Sequence, residues 1–362
     1  MTFRERIPSI LIYGITIAVL IGIILFIGVQ TLIQYFTNLE LTGIFTLLIL
    51  LILLYVIDII IRIYRWQILL MVQGVELPIK SLTFPVVSAL AINLFTPARA
   101  GETIRLYTLK RNHETKYSDT LSSIVIEQVL SIIGLLFVVT GSLFFVGRTL
   151  IQIENSEIIL QLVVIIFLSS VMCLIILSLM MYKPKIIENL IQFFPLFIQK
   201  RLQSAYKAFQ TGVKELREKP SYLTLGIITS ASIWVIEGIM IYVIAFTVFL
   251  FYGKTLTPMD FPWMIAASCA GNITFIIPIL PGAVGQYEVV LALVLVNSPN
   301  YPGHGGTLIA IIDRIAKSIM LGLFGGYATL RLGGKEIIRL RKDFFSETKE
   351  QKETLHEEVI KE

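Results

Sequence analysis

Glu127, Glu237, Asp313, Arg314 and Lys317 lie inside long apolar runs, and Arg99 and Glu288 sit beside proline-glycine breaks in two further runs. An ionised side chain at the middle of a hydrocarbon layer costs at least ~2.5–3.5 kcal/mol on insertion scales, so such groups face a partner or a wet cavity. The chemistry open to them is capture of a charged group, proton exchange or mutual neutralisation. Arginine suits the first, because its planar fork grips a phosphate or carboxylate through two parallel N–H bonds. Arg99, Arg105 and Arg314 are the candidates. Arg105, three residues beyond Glu102, could instead pair with that acid or reach out to headgroups. Asp313 and Lys317 are four apart and could neutralise each other on one helix face. Glu237, near Trp234, has no basic residue within a turn. It is either a protonated, hydrogen-bonded core group or a proton or ligand site. Glu127, followed by Gln128, reads as functional, whereas Asp58 reads as a residue near a helix end whose carboxylate reaches the surface.

The elements that must position these groups are helices in lipid. The chain of 362 residues is 56% hydrophobic and only 15% charged, with a mean hydropathy of +0.81. A soluble domain of this length would carry far more polar surface. Ile10–Val29, Ile44–Ile63, Thr120–Val146, Ile158–Met181, Tyr222–Phe251 and Thr307–Leu330 are each near or above the ~20 residues a crossing helix needs. The first is too long for a cleaved leader and reads as a retained span. Two other stretches are interrupted. Leu82–Pro97 leads into a polar cluster at Gly101, and its prolines, Pro85 and Pro97, mark its limits. Phe261–Asn297 is broken by Pro278, Pro281, Gly282 and Gly285. Proline removes a backbone donor and glycine loosens a helix, so both stretches are read as re-entrant hairpins. The expected fold is an all-α polytopic membrane protein with about six full spans and two re-entrant hairpins. Residues 1–335 form the membrane domain and 336–362 a charged tail.

The formal charge of +5 sits mostly between the apolar runs, which reads as topology and not as a groove tracking nucleic acid. Placing residues 62–80, 99–117, 183–220 and both tails on one side gathers 26 of the 30 Lys and Arg there. That bias predicts cytoplasmic termini, in the plasma membrane. The connector over 183–220 spaces Leu202, Tyr206, Phe209, Val213 and Leu216 on one helical face, with lysines and arginines filling the rest. It either lies on anionic inner-leaflet lipid or packs on its own bundle. Cys173 and Cys269 define no disulfide framework, His113, His304 and His356 are too scattered for a metal site, and no cofactor motif is present.

The two interrupted stretches resemble each other. One reads Phe84-Pro85, Asn93, then Pro97 to Gly101-Glu102. The other reads Phe261-Pro262, Asn272, then Pro281-Gly282 to Gly285 and Glu288. Each glutamate is followed 25 residues later by an acid, Glu127 and Asp313 respectively. Entered from opposite faces, they would form an inverted repeat, with substrate held between broken helices near mid-membrane.

Thr96-Pro-Ala-Arg-Ala-Gly-Glu102 with Arg105, the acid at Glu127, and Pro281-Gly-Ala-Val-Gly-Gln-Tyr-Glu288 resemble the lysylphosphatidylglycerol synthase transmembrane family, also called flippase-like, over nearly the whole chain. The resemblance implies movement of lipids or lipid-linked groups between leaflets. Gln128 stands where that family leads one to expect an arginine beside the acid, and Ala283 where a glycine is expected. On this reading a lipid with an anionic head, such as a phospholipid or polyprenyl phosphate, meets Arg99, Arg105 and Arg314. Glu127 and Glu237 exchange partners, and Glu102, Glu288 and Asp313 complete the site. Two alternatives remain: a head-group transferase using Glu102, Glu127 or Glu288 as general base, and a scaffold recruiting a lipid-modifying enzyme or glycosyltransferase.

Overall fold

The computed structural model describes residues 29–96, 100–150, 184–193, 196–258, 260–275, 281–296 and 305–333, with isolated residues between 18 and 25 and between 164 and 172. All regular structure among them is helical: α1 (Val29–Asn38), α2 (Leu41–Val72), α3 (Ile79–Phe95), α4 (Glu102–His113), α5 (Tyr117–Leu150), α6 (Pro184–Gln192), α7 (Leu196–Glu218), α8 (Pro220–Phe251), α9 (Asp260–Ile273), α10 (Gln286–Val296), α11 (Gly305–Met320) and α12 (Gly326–Arg331). Three helices are long and apolar enough to cross a membrane, over Thr42–Val72, Tyr117–Val146 and Pro220–Phe251. They coincide with the second, third and fifth expected spans. The first and fourth fall mostly outside the described residues. The last is a continuous helical run from Gly305 to Arg331, passing through a π-helical turn at Leu321–Gly325.

Both interrupted stretches are helix–break–helix units. α3 and α4 flank one break, and α9 and α10 flank the other around a 3-10 turn at Pro281–Ala283. Pro85 does not bound its stretch, as expected from sequence, but lies inside α3. Pro97 and Arg99 lie outside the described residues. In each unit the glutamate after the break falls in the first turn of the following helix, Glu102 in α4 and Glu288 in α10, where the positive end of the helix dipole favours it.

α8 is the hub, packing against α2, α5, α9 and α11. One apolar core joins α1, α2, α3 and α8, and Tyr35 is buried there with its hydroxyl 2.6 Å from Thr247 Oγ1. A second core buries Tyr206, Phe209 and Leu216 of α7 against Leu69, Ile126 and Leu130. The connector's apolar face is therefore committed to its own bundle. Lys207 and Lys214 remain exposed.

Two sequence expectations fail on α2. The helix does not end near Ile63 but runs to Val72, so Asp58 is interior and buried, not a surface-reaching end residue. Arg62 and Arg65, expected at and beyond the end of the span, are inside the same helix, and Arg65 is 2% exposed. The reason is geometric. Positions 58, 62 and 65 are spaced by four and three, so they share one helical face, and that face turns inward.

Candidate functional site

A cavity of about 200 Å³ opens between the two helix–break–helix units and α2, α5, α8 and α11. It is smaller than the ~300–1,000 Å³ of pockets that enclose drug-sized ligands. Its walls include Asp58, Arg62, Arg65, Glu102, Arg105, Glu127, Glu237, Asp313, Arg314 and Lys317, together with Leu94, Thr96 and Gly282 from the breaks themselves. The units touch at these breaks: a Cβ at Gly282 would collide with the Leu94 carbonyl oxygen. Gly282 holds φ +61° and Ala283 φ +51°, the left-handed region that costs an L-residue about 1–2 kcal/mol. The departure noted at Ala283 therefore falls where the backbone favours glycine. At Gly101 a Cβ would meet the Ala89 carbonyl oxygen, so the first break also needs a bare Cα.

Three ion-pair groups line the cavity. In the first, Glu127 of α5 accepts from Arg65 Nη2 at 2.8 Å and from Arg105 Nη2. Arg105 Nη1 also donates to Glu102 at 2.8 Å. Its guanidinium lies 4.0 Å above the Trp66 ring, and Trp66 Nε1 is tethered to Ser123 Oγ at 3.1 Å. Asn93 stitches the break by accepting from Gly101 N at 2.8 Å and donating to Glu102 at 3.1 Å. The arginine missing beside Glu127 in sequence is thus supplied by α2 and α4.

The second group centres on Glu237. Arg62 Nη2 lies 2.9 Å from one of its oxygens and Lys317 Nζ 2.7 Å from the other. Both partners come from other helices, beyond the reach of a local reading. Arg62 Nε also holds Asp58 at 2.6 Å. Lys317 also reaches Asp313 at 3.1 Å, and Tyr287 Oη donates to Asp313 at 2.7 Å. The pair expected within α11 forms, but as part of a longer chain.

In the third group Arg314 Nε pairs with Glu288, and Nη1 donates to the Gly282 carbonyl at 3.1 Å. Glu288 accepts from Gly285 N at 2.8 Å, bracing the second break. Arg314 Nη2 has no hydrogen-bond partner among the described residues. The guanidinium sits 5.0 Å from the Tyr287 ring. Here the likeness of the two units stops short. Asn272, the counterpart of Asn93, donates to Ser268 O at 2.9 Å and Glu237 at 3.4 Å, and among the described residues it holds neither Gly285 N nor Glu288.

The fold thus gathers Glu102, Arg105, Glu127, Glu237, Glu288, Asp313 and Arg314 in one place. Arg99 lies outside the described residues. Sequence reasoning missed Asp58, Arg62, Arg65, Trp66, Tyr287 and Lys317 as site residues. The signal for the first three was their shared helical face.

Against known proteins, the family model described as the lysylphosphatidylglycerol synthase TM region matches residues 11–325. A UPF0104 membrane protein of Methanocaldococcus jannaschii is 25% identical over 235 residues, covering 65% of this chain and 91% of that protein. No solved structure matches the chain.

Proposed function

Because the chain belongs to the lysylphosphatidylglycerol synthase transmembrane-region family, we propose that this membrane protein carries the anionic head of a phospholipid or polyprenyl-linked lipid between the leaflets of the plasma membrane. The observation that carries the reading is the cavity between two broken helix units, whose buried cations are each balanced by carboxylates from other elements. Such pairs are exchangeable. A phosphate entering the cavity competes with Glu288 for Arg314 and with Glu102 and Glu127 for Arg105, offering each guanidinium two oxygens where each carboxylate now takes a single N–H from it. Arg314 is the first anchor: among the described residues its terminal Nη2 has no partner, whereas the unpartnered nitrogens of Arg65 and Arg105 are the inner Nε. The displaced carboxylates retain the Gly285 and Asn93 donors, so the site keeps a closed alternative when empty. The small cavity takes the head alone, and the hydrocarbon chain stays in lipid.

In this reading the two breaks are re-entrant elbows entering from opposite faces, residues 1–335 act as one unit, and the basic face of α7 meets anionic inner-leaflet lipid. The protein reconstituted into vesicles should accelerate interleaflet movement of at least one member of a panel of phospholipids and polyprenyl phosphates. No acceleration across the panel rejects the proposal. Single cysteines at Glu114 and Lys254 should label from opposite sides, and labelling from the same side rejects the arrangement.

A further inference from the structure

The ion pairs around Glu237 form a chain that alternates in sign: Asp58, Arg62, Glu237, Lys317, Asp313. Acids stand at both ends, so with every member ionised the chain holds one more negative charge than positive. The other two ion-pair groups balance. The two ends are not equivalent. Asp313 Oδ2 accepts from both Lys317 Nζ and Tyr287 Oη, as a carboxylate does. Asp58 Oδ2 accepts from Arg62, but its other oxygen, Oδ1, is buried without a hydrogen-bond partner among the described residues. A half-solvated anion in that position is the costly arrangement, since a buried charge needs its lone pairs met. A neutral acid there removes the surplus charge while Oδ2 still accepts the guanidinium N–H.

We infer that Asp58 Oδ1 is a proton-binding site, and that its proton is taken up and released together with the anionic head. The inference rests on the proposed lipid reading for its second half only. The groups facing Asp58 are Tyr55 and Arg62 on α2, Glu237 on α8 and Lys317 on α11. All share the cavity with the head-group anchors. An anion bound among these cations reduces their hold on the carboxylates, so it favours a proton on the surplus acid. By linkage the proton favours the anion by the same factor. Proton entry therefore accompanies lipid-head entry, which supplies a direction of movement wherever a proton gradient exists.

Infrared spectra of the intact protein in nanodiscs, recorded across pH, read the carbonyl stretch of a protonated carboxyl group. The parent should show that band at neutral pH, and Asp58→Asn, which keeps an acceptor for Arg62, should lose it. Absence of the band in the parent overturns the inference without recourse to any variant. A band that persists unchanged in Asp58→Asn overturns it too, as does one abolished by sodium at constant ionic strength, which would make the ligand a metal cation. Lipid movement measured in parallel separates the two proposals. Movement without the band leaves translocation standing and removes the proton site. The band without movement does the reverse. Movement whose pH dependence is abolished by Asp58→Asn supports the coupling, and an unaltered pH dependence refutes it.

Discussion

Lys317 Nζ lies 2.7 Å from Glu237 Oε2, joining α11 to α8 across 80 residues of sequence. Both side chains are largely buried, at 19% and 11% exposure. Through Arg62, which meets the other Glu237 oxygen at 2.9 Å, the contact also ties this half of the chain to α2.

Removing one partner of a buried pair strands the other, at up to about 3–5 kcal/mol, whereas removing both is far milder. Lys317→Met is therefore expected to destabilise strongly, and Lys317→Met with Glu237→Gln to recover part of the loss. Thermal and denaturant unfolding in detergent measure the cycle. Simple additivity of the two single changes would mean the contact carries no coupling.

Glu127 offers a second comparison. Glu127→Gln leaves Arg65 and Arg105 converging on a neutral amide, an uncompensated charge expected to cost about 3–5 kcal/mol. Arg105→Lys retains charge but loses the fork that bridges Glu102 and Glu127, and loses the stacking on Trp66, for about 1–3 kcal/mol. The order of the two unfolding midpoints tests the assignment; equal midpoints would contradict it.

The contact between the breaks predicts a sharp contrast between glycines. Gly282→Ala meets both a left-handed backbone and the Leu94 carbonyl oxygen, so it should cost at least about 1–2 kcal/mol and impair lipid movement. Gly141→Ala meets nothing within 4 Å in the middle of α5 and should stabilise by up to about 1 kcal/mol through helix propensity. Unfolding midpoints that move alike would reject the tight contact.

On α7, Phe209 is 1% exposed in the core shared with Ile126 and Leu130. Phe209→Ala is expected to cost about 3–5 kcal/mol. Lys207→Glu and Lys214→Glu, on the exposed face, should leave stability within about 0.5 kcal/mol. They should weaken attachment to anionic vesicles by about 1 kcal/mol per lysine removed. Flotation of detergent-free nanodiscs or proteoliposomes with such vesicles measures the second effect.

Much of this was legible in the chain itself. The helical class and three of the crossing helices follow from apolar run length, because hydrocarbon leaves the backbone no partners but its own. The breaks at Gly101 and Gly282 follow from glycine and proline chemistry, and the acids at Glu102, Glu127, Glu288 and Asp313 from their position in apolar surroundings. Asp58, Arg62 and Arg65 were misjudged because a hydropathy reading sums along the chain and does not see which side of a helix a charge occupies.

What the sequence determined by itself is an inventory: which segments are helical, where they break, and which ionisable groups are too deep in apolar sequence to be solvated. What only the tertiary structure decided is the pairing. Glu237 has no cation within a turn of its own helix, yet it receives Arg62 from α2 and Lys317 from α11, and Glu127 receives its arginines from α2 and α4. Helical periodicity governs neighbours three and four residues away. The approach of side chains 80 or 175 residues apart depends on how whole helices pack, and that is settled by their apolar faces and close backbone contacts, not by the charges that end up meeting.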